Sequence, residues 1–313
     1  MKNASRLLAA TVCASSLATF VISADAPKLA WAPPALLNPV TIELSDSATT
    51  NSLDKAKDYI VKFPPRIKTG MTWLEGGRNV VIIGGHTTCP PGPESAKNQG
   101  RALYIKNATG IVHIEGVLID NSAGGDFDGI SICATQAVVQ VQNCRIVGLT
   151  GLMRQNHSDI IQPWGGVREL RVDRLTGSSN YQGLFLPQDL GAIGRIDLRH
   201  VDLSFSAKNP DSNVTYLLWM TKGTDKAESA PISLDEVYIT PRHGQTVGAQ
   251  AVWPSTTRPA PGFAKEKDGI VTWPDLPAIT GSVHAGPPPS GEFVPEKLAG
   301  LTYHSPGYQE EAP

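Results

Sequence analysis

The sequence predicts an all-β solenoid: a single-stranded right-handed parallel β-helix with a short N-terminal cap helix and an irregular Pro-rich C-terminal strap. Three observations predict it. First, one short apolar motif recurs, anchored on Ile83, Ile114, Val141, Val172, Leu198 and Leu234, at intervals of 31, 27, 31, 26 and 36 residues. Recurrence at roughly 20–50 residues, with strand-like segments in each copy, marks stacked coils rather than a sandwich of hairpins. Second, residues 241–313 hold 12 of the 25 prolines, whereas 94–209 hold only Pro163 and Pro187. Proline cannot donate to a strand ladder, so the Pro-poor stretch suits sheet and the Pro-rich one does not. Third, the 313 residues include 30 glycines, 41% are hydrophobic and only 18% charged. That composition gives a sizeable core with many turns and little long helix. The net charge of −2 offers no field for nucleic acid or acidic lipid.

Taken in order, the chain starts with Lys2 and Arg6, followed by an uncharged and mostly apolar run over 7–22 and small residues at Ser23 and Ala24. Residues 1–24 therefore read as a signal peptide, too short to span a bilayer comfortably, and the expectation is a secreted or periplasmic monomer with no membrane span after cleavage. An extended segment over 25–51 precedes residues 52–242, assigned to the β-helix. Its opening residues 52–61 read as an amphipathic helix capping the first coil. The segment 243–313 carries Trp253, Phe263, Trp273, Phe293 and Tyr303 at intervals, which predicts docking along the solenoid. Beyond Cys13, the cysteines are Cys89, Cys133 and Cys144, leaving open one disulfide with a free thiol or three buried thiols.

The motif itself is an apolar residue, two polar or small ones, then another apolar residue. Examples are Ile114-Glu115-Gly116-Val117, Val141-Gln142-Asn143-Cys144 and Val172-Asp173-Arg174-Leu175. Together with the entry Asn79-Val80-Val81-Ile82-Ile83-Gly84-Gly85, it resembles the pectate-lyase-like (pectin lyase fold) superfamily over about residues 55–240. The resemblance implies polysaccharide chemistry by lyases, hydrolases or epimerases, beside adhesins and tailspikes that only bind. No pectate lyase calcium pattern and no polygalacturonase Asp pair maps onto the sequence, so the resemblance assigns no reaction.

The most unusual stretch is 154–164, which contains Arg154, His157, Asp159, Gln162 and Trp164. Aligning Ile160 with Ile130 and Leu184 as inward residues turns His157 and Asp159 outward together and Gln162 inward. Tyr181 would flank His157, and Tyr104, Lys106 and Phe185 would share the side, as in a sugar-binding groove. For β-elimination on a uronic acid, His157 would be the base, with Arg154, Lys106 or Arg168 neutralising the substrate carboxylate. Asp159 would orient His157, or join Asp126 and Asp128 around Ca2+. For hydrolysis, Asp159 would need a second carboxylate such as Asp128 or Asp189. The expected function is a secreted enzyme on an acidic polysaccharide, a lyase ahead of a hydrolase. The alternative is a non-catalytic β-helix that binds a glycan or cell surface.

Overall fold

The computed structural model describes residues 26–89, 100–124, 127–153, 156–186, 189–207, 215–221, 230–258 and 262–308. These hold 21 strands joined into one continuous, mostly parallel system. Each full coil contributes a strand to sheet B, turns, and then contributes two strand segments to sheet A that meet at a sharp bend. Sheet A runs in register from Val40–Glu43 to Ile279–Ala285, and sheet B from Thr49–Leu53 to Val252–Trp253. The result is a parallel β-helix.

The recurring motif is the bend within sheet A. Pairing Ile83 with Glu115, Gln142, Asp173, Arg199 and Asp235 in turn stacks the next residues as Gly84, Gly116, Asn143, Arg174, His200 and Glu236. All six have positive φ, between 47° and 68°. A left-handed residue reverses the path while keeping the flanking apolar side chains inward. Gly and Asn adopt it readily; Arg174, His200 and Glu236 do so at a cost of roughly 1–2 kcal/mol each. His200 recovers part of this through Nδ1, 2.6 Å from Asp173 Oδ1.

Inside, columns of one residue per coil fill the core. Ile114, Val141, Val172, Leu198 and Leu234 form one, and Leu103, Ile130, Ile161, Leu184, Leu218 and Val252 face them from sheet B. All are buried.

Two expectations need correction. Residues 52–61 form no helix: they belong to the strands Thr49–Leu53 and Tyr59–Lys62, joined by a turn. Tyr59 and Val61 alternate inward, and buried Asp58 pins the turn by accepting Arg78 Nε at 2.7 Å and Nη2 at 2.8 Å. These Arg78 bonds hold the Asp58 carboxyl well below the usual range. Consequently the ladder starts before residue 52, and it also continues past 242. Among the described residues the one α-helix is Val247–Gln250.

Beyond the coils, a hairpin of Lys265–Lys267 and Ile270–Thr272 pairs antiparallel with Ile279–Ala285 and closes the C-terminal end. From residue 286 the chain runs back along sheet A as a strap. Val294 N–H donates to Thr176 Oγ1 at 2.9 Å, and Arg145 Nη1 lies 2.8 Å from Glu292. Tyr303 reaches Glu115, a fully buried carboxylate that accepts from its hydroxyl at 2.6 Å, from Ser305 Oγ at 3.1 Å and from His113 Nε2 at 2.8 Å. The segment near Trp31 lies on the same sheet: its backbone bonds the Gln142 amide, and its ring sits 4.9 Å from the Arg199 guanidinium. A cleft of about 610 Å³ remains where the strap ends, lined by Ile60, Phe63, Ile83, Tyr303 and Tyr308. Cys89, Cys133 and Cys144 are free thiols, and burial pushes Cys89 and Cys144 up to about 12.

Candidate functional site

With sheet A overlaid by both straps, the outer face of sheet B is where side chains of one chemical kind gather. Alternation from the inward Leu103–Val252 column puts Trp73, Tyr104, Ser131, Gln162, Phe185, Trp219 and Trp253 in one outward column. Seven coils at about 4.8 Å spacing make a row roughly 30 Å long. Ring centroids are 4.9 Å apart for Trp73–Tyr104, 5.2 Å for Phe185–Trp219 and 5.7 Å for Trp219–Trp253. Trp164 stacks on Tyr104 at 6.3 Å, and Tyr216 packs 5.3 Å from Trp219. Cations lie among the rings: Arg101 is 5.0 Å from Tyr104, and Lys106 is 5.1 Å from Trp73 and 3.2 Å from Glu75. Burial pushes the Tyr104 hydroxyl up to about 12.

The row is aromatic except at its centre, where Ser131 and Gln162 occupy adjacent coils. Those two coils also carry Asp128 and Asp159. Ile130 pairs with Ile161, so Asp128 and Asp159 hold equivalent positions. The Asp159 N–H donates to Asp128 Oδ1 at 3.0 Å, and the Gly129 N–H donates to the Asp159 carbonyl at 2.7 Å. Ser131 faces outward between two core isoleucines, and its Oγ donates to Asp128 Oδ2 at 2.9 Å. Arg101 Nε stands 3.8 Å from the same oxygen. The Asp128 side chain is buried, held by Ser131 next to the break in the aromatic row.

Asp159 is different. Its side chain is fully buried, and neither carboxylate oxygen has a hydrogen-bond partner. Burial, and then repulsion from Asp128, raise its carboxyl well above the usual range. Burial raises Asp128 too, opposed by the donors from Asp159, Arg101, Ser131 and Asn156. Asp128 is thus held by several donors and Asp159 by none.

Several sequence expectations are corrected here. The inward residue of the strand Ile161–Gln162 is Ile161, one later than expected, and a one-residue slip reverses every face. Gln162 is thus outward, and Asp159 is buried beside Asp128 instead of lining an open groove. Both Ile160 and Ile161 point into the core, because the chain bends at Ile160: its Cδ1 lies within 2.8 Å of where a Cβ on Gly177 of sheet A would stand. His157 is exposed on the loop before the strand; its Nε2–H donates to the Met153 carbonyl at 3.0 Å, so Asp159 does not orient it. Tyr181, buried, stacks on His157 at 5.3 Å and offers no free platform. Arg168 lies exposed on the sheet A strand Val167–Ser179, away from this face. Arg154 and Asp126 lie outside the described residues. No group of three His, Cys, Asp or Glu suited to a metal forms among the described residues, and Arg101 beside Asp128 disfavours a cation there.

Of the expected binding residues, buried Tyr104 stacks on Trp164, Lys106 lies beside Trp73, and Phe185 stands in the same column beside Trp219. The sequence reading missed Trp73, Trp219, Trp253, Tyr216 and Arg101. A signal for three ring positions was present: Leu184-Phe185, Leu218-Trp219 and Val252-Trp253 repeat an apolar–aromatic pair every 34 residues.

The fold and site define a parallel β-helix with an aromatic outer face over a buried carboxylate pair. No family model matches the sequence, and no curated protein or solved structure matches it significantly.

Proposed function

We propose that the protein is a secreted polysaccharide-binding β-helix that takes an extended glycan along the outer face of sheet B. The in-register row from Trp73 to Trp253 carries this reading. Sugar rings present C–H faces that stack on aromatic rings, and a rigid row about 30 Å long offers several such contacts at little ordering cost. The uncharged, mostly apolar run after Lys2 and Arg6 supports secretion, and the resemblance to pectate-lyase-like proteins supports a polysaccharide ligand. β-Elimination is no longer the favoured reaction, because His157 and Arg168 do not share this face. Asp128 and Asp159, beside the break in the row, are buried.

Affinity electrophoresis through gels containing polygalacturonate, xylan or mixed-linkage glucan tests the reading. At least one polymer should retard the protein, and Trp219→Ala or Trp253→Ala should weaken binding about tenfold, or about 1.4 kcal/mol. His157→Ala should bind like the wild type. Unchanged binding in both tryptophan variants would remove the basis of the proposal. Binding without turnover is the second reading, favoured by the burial of Asp159; release of reducing ends from the bound polymer decides against it.

A further inference from the structure

We infer that the cleft where the strap ends is a small-molecule site, independent of the glycan face, and that it takes a free aromatic carboxylate. The cleft measures about 610 Å³ and opens on sheet A, whereas the ring row stands on sheet B. That volume falls within the roughly 300–1,000 Å³ of small-molecule pockets. Its floor comes from the first coils. Ile60 and Lys62 alternate outward along Tyr59–Lys62, and Ile83 ends the next strand, Val80–Ile83. The register Val61–Ile82 sets Lys62 beside Ile83. The opposite wall is the end of the strap, residues 301–308.

Both walls are fixed before any ligand arrives. A Cβ on Gly85 would stand 2.3 Å from Phe63 Cγ, and one on Gly116 would stand 2.1 Å from Tyr303 Cγ. Each ring is therefore seated on bare backbone that only glycine supplies. The Tyr303 hydroxyl is held by Glu115 at 2.6 Å. Gly300 ties the strap to the same two bends, accepting from the Gly85 N–H at 3.1 Å and donating to the Gly116 carbonyl at 2.8 Å. A ligand entering such a cleft meets little ordering cost.

The lining selects the ligand. Phe63, Tyr303 and Tyr308 with Ile60 and Ile83 make an apolar space walled by rings, suited to a planar apolar body. Lys62 and His304 bring cationic and N–H donor groups, and no Asp or Glu lines the cleft among the described residues. The adjoining carboxyl, Glu115, is buried beneath the Tyr303 and Ser305 hydroxyls that it accepts. The charge balance thus favours an anion at one end of the ligand. A sugar fits poorly. The Ser305 hydroxyl already serves Glu115 and accepts from the Gly307 and Tyr308 N–H groups at 3.1 and 2.8 Å, so most sugar hydroxyls would enter without partners. An alkyl carboxylate would give up many rotatable bonds, which a ring does not.

Calorimetric titration of the full chain with cinnamate tests the inference, with cinnamyl alcohol, octanoate and galacturonate as comparisons. Cinnamate should bind with a Kd below about 1 mM, at least about tenfold tighter than each of the other three. In nitrogen–proton correlation spectra it should shift the amides of Gly84 and Gly85 and leave Leu184 and Leu218 in sheet B unmoved. Ile83→Trp fills the floor from an outward position and should abolish binding. Lys62→Met should weaken cinnamate about tenfold and leave cinnamyl alcohol unchanged. Trp219→Ala, on the glycan face, should bind cinnamate like the wild type. Circular dichroism melts check that the variants fold; for any that does not, the location of the wild-type amide shifts decides. No binding of cinnamate at about 5 mM, binding of the alcohol, octanoate or galacturonate as tight as that of cinnamate, shifts away from Gly84 and Gly85, or full binding by folded Ile83→Trp overturns the inference.

Discussion

At the scale of the residue, Asp159 sets the pH response of stability. Its folded carboxyl is raised well above the ordinary 3.8 by burial and by Asp128. The folded chain therefore holds a proton that the unfolded chain has already released. Stability is full below the unfolded value and falls as pH rises from about 3.8 toward the folded one. Asp159→Asn carries no such proton, so its stability should stay flatter over that window and exceed the wild type at neutral pH. Urea midpoints at about pH 4 and about pH 8 check this. Equal slopes for the two proteins would show that Asp159 ionises freely. Lys68, fully buried, titrates in the opposite sense. Burial pushes it down to about 8, and its ammonium bonds the Gly70 and Met71 carbonyls at 2.9 and 3.2 Å. The destabilisation it brings is relieved as pH climbs from about 8 to its ordinary 10.5.

At the scale of the element, the coil tolerates change unevenly. A Cβ on Gly183 would stand 2.1 Å from the Leu217 carbonyl oxygen of the next sheet B strand, which cannot withdraw without breaking the ladder. Gly183→Ala should cost about 1–3 kcal/mol. Arg174, held at φ 54° in the stacked bend, invites the opposite change. Arg174→Gly relieves a left-handed side chain and should leave stability unchanged or raise it by up to about 1 kcal/mol. Thermal melts of both variants check the contrast. The same bend explains why the architecture was legible in the sequence. Each coil must pass it with apolar residues on either side, so the motif recurs even where coil lengths differ. Faces were legible where one apolar residue alternates with a polar or aromatic one, as at Leu184-Phe185. Ile161–Gln162 is two residues long, and the Ile160-Ile161 pair gives alternation nothing to choose between. Likewise, the apolar residues of 52–61 suit one face of a helix and also a strand–turn–strand. Asp58, bound by Arg78 twenty residues on, decides for the latter. The aromatic row was half visible because Trp73 and Trp253 lie near the limits expected for the solenoid.

At the scale of the whole molecule, the two sheets divide the work. Sheet A carries the straps, and sheet B carries the rings and carboxylates. The strap is fastened at Glu115, a buried carboxyl that accepts from Tyr303 and Ser305. Tyr303→Phe removes the 2.6 Å hydrogen bond to that carboxylate and the acceptor for Asn143 Nδ2. It should cost about 1.5–3 kcal/mol, the range for hydrogen bonds to charged groups. The loss should be local. Amide exchange at Val294 and Gly300, which bond Thr176 and Gly116, should quicken while Leu184 and Leu218 in sheet B stay protected. Faster exchange across both sheets would mean that the strap holds the coils together instead of merely covering them.

Asn143 gives the straps one more consequence. Its Nδ2 is 3.3 Å from the Pro27 carbonyl and 2.9 Å from the Tyr303 hydroxyl, so both ends of the described chain meet at one side chain. Tension applied across residues 26 and 308 would load this clasp before any coil. The molecule should then yield by peeling its two straps, while the stacked ladders remain unstretched and the aromatic row keeps its spacing.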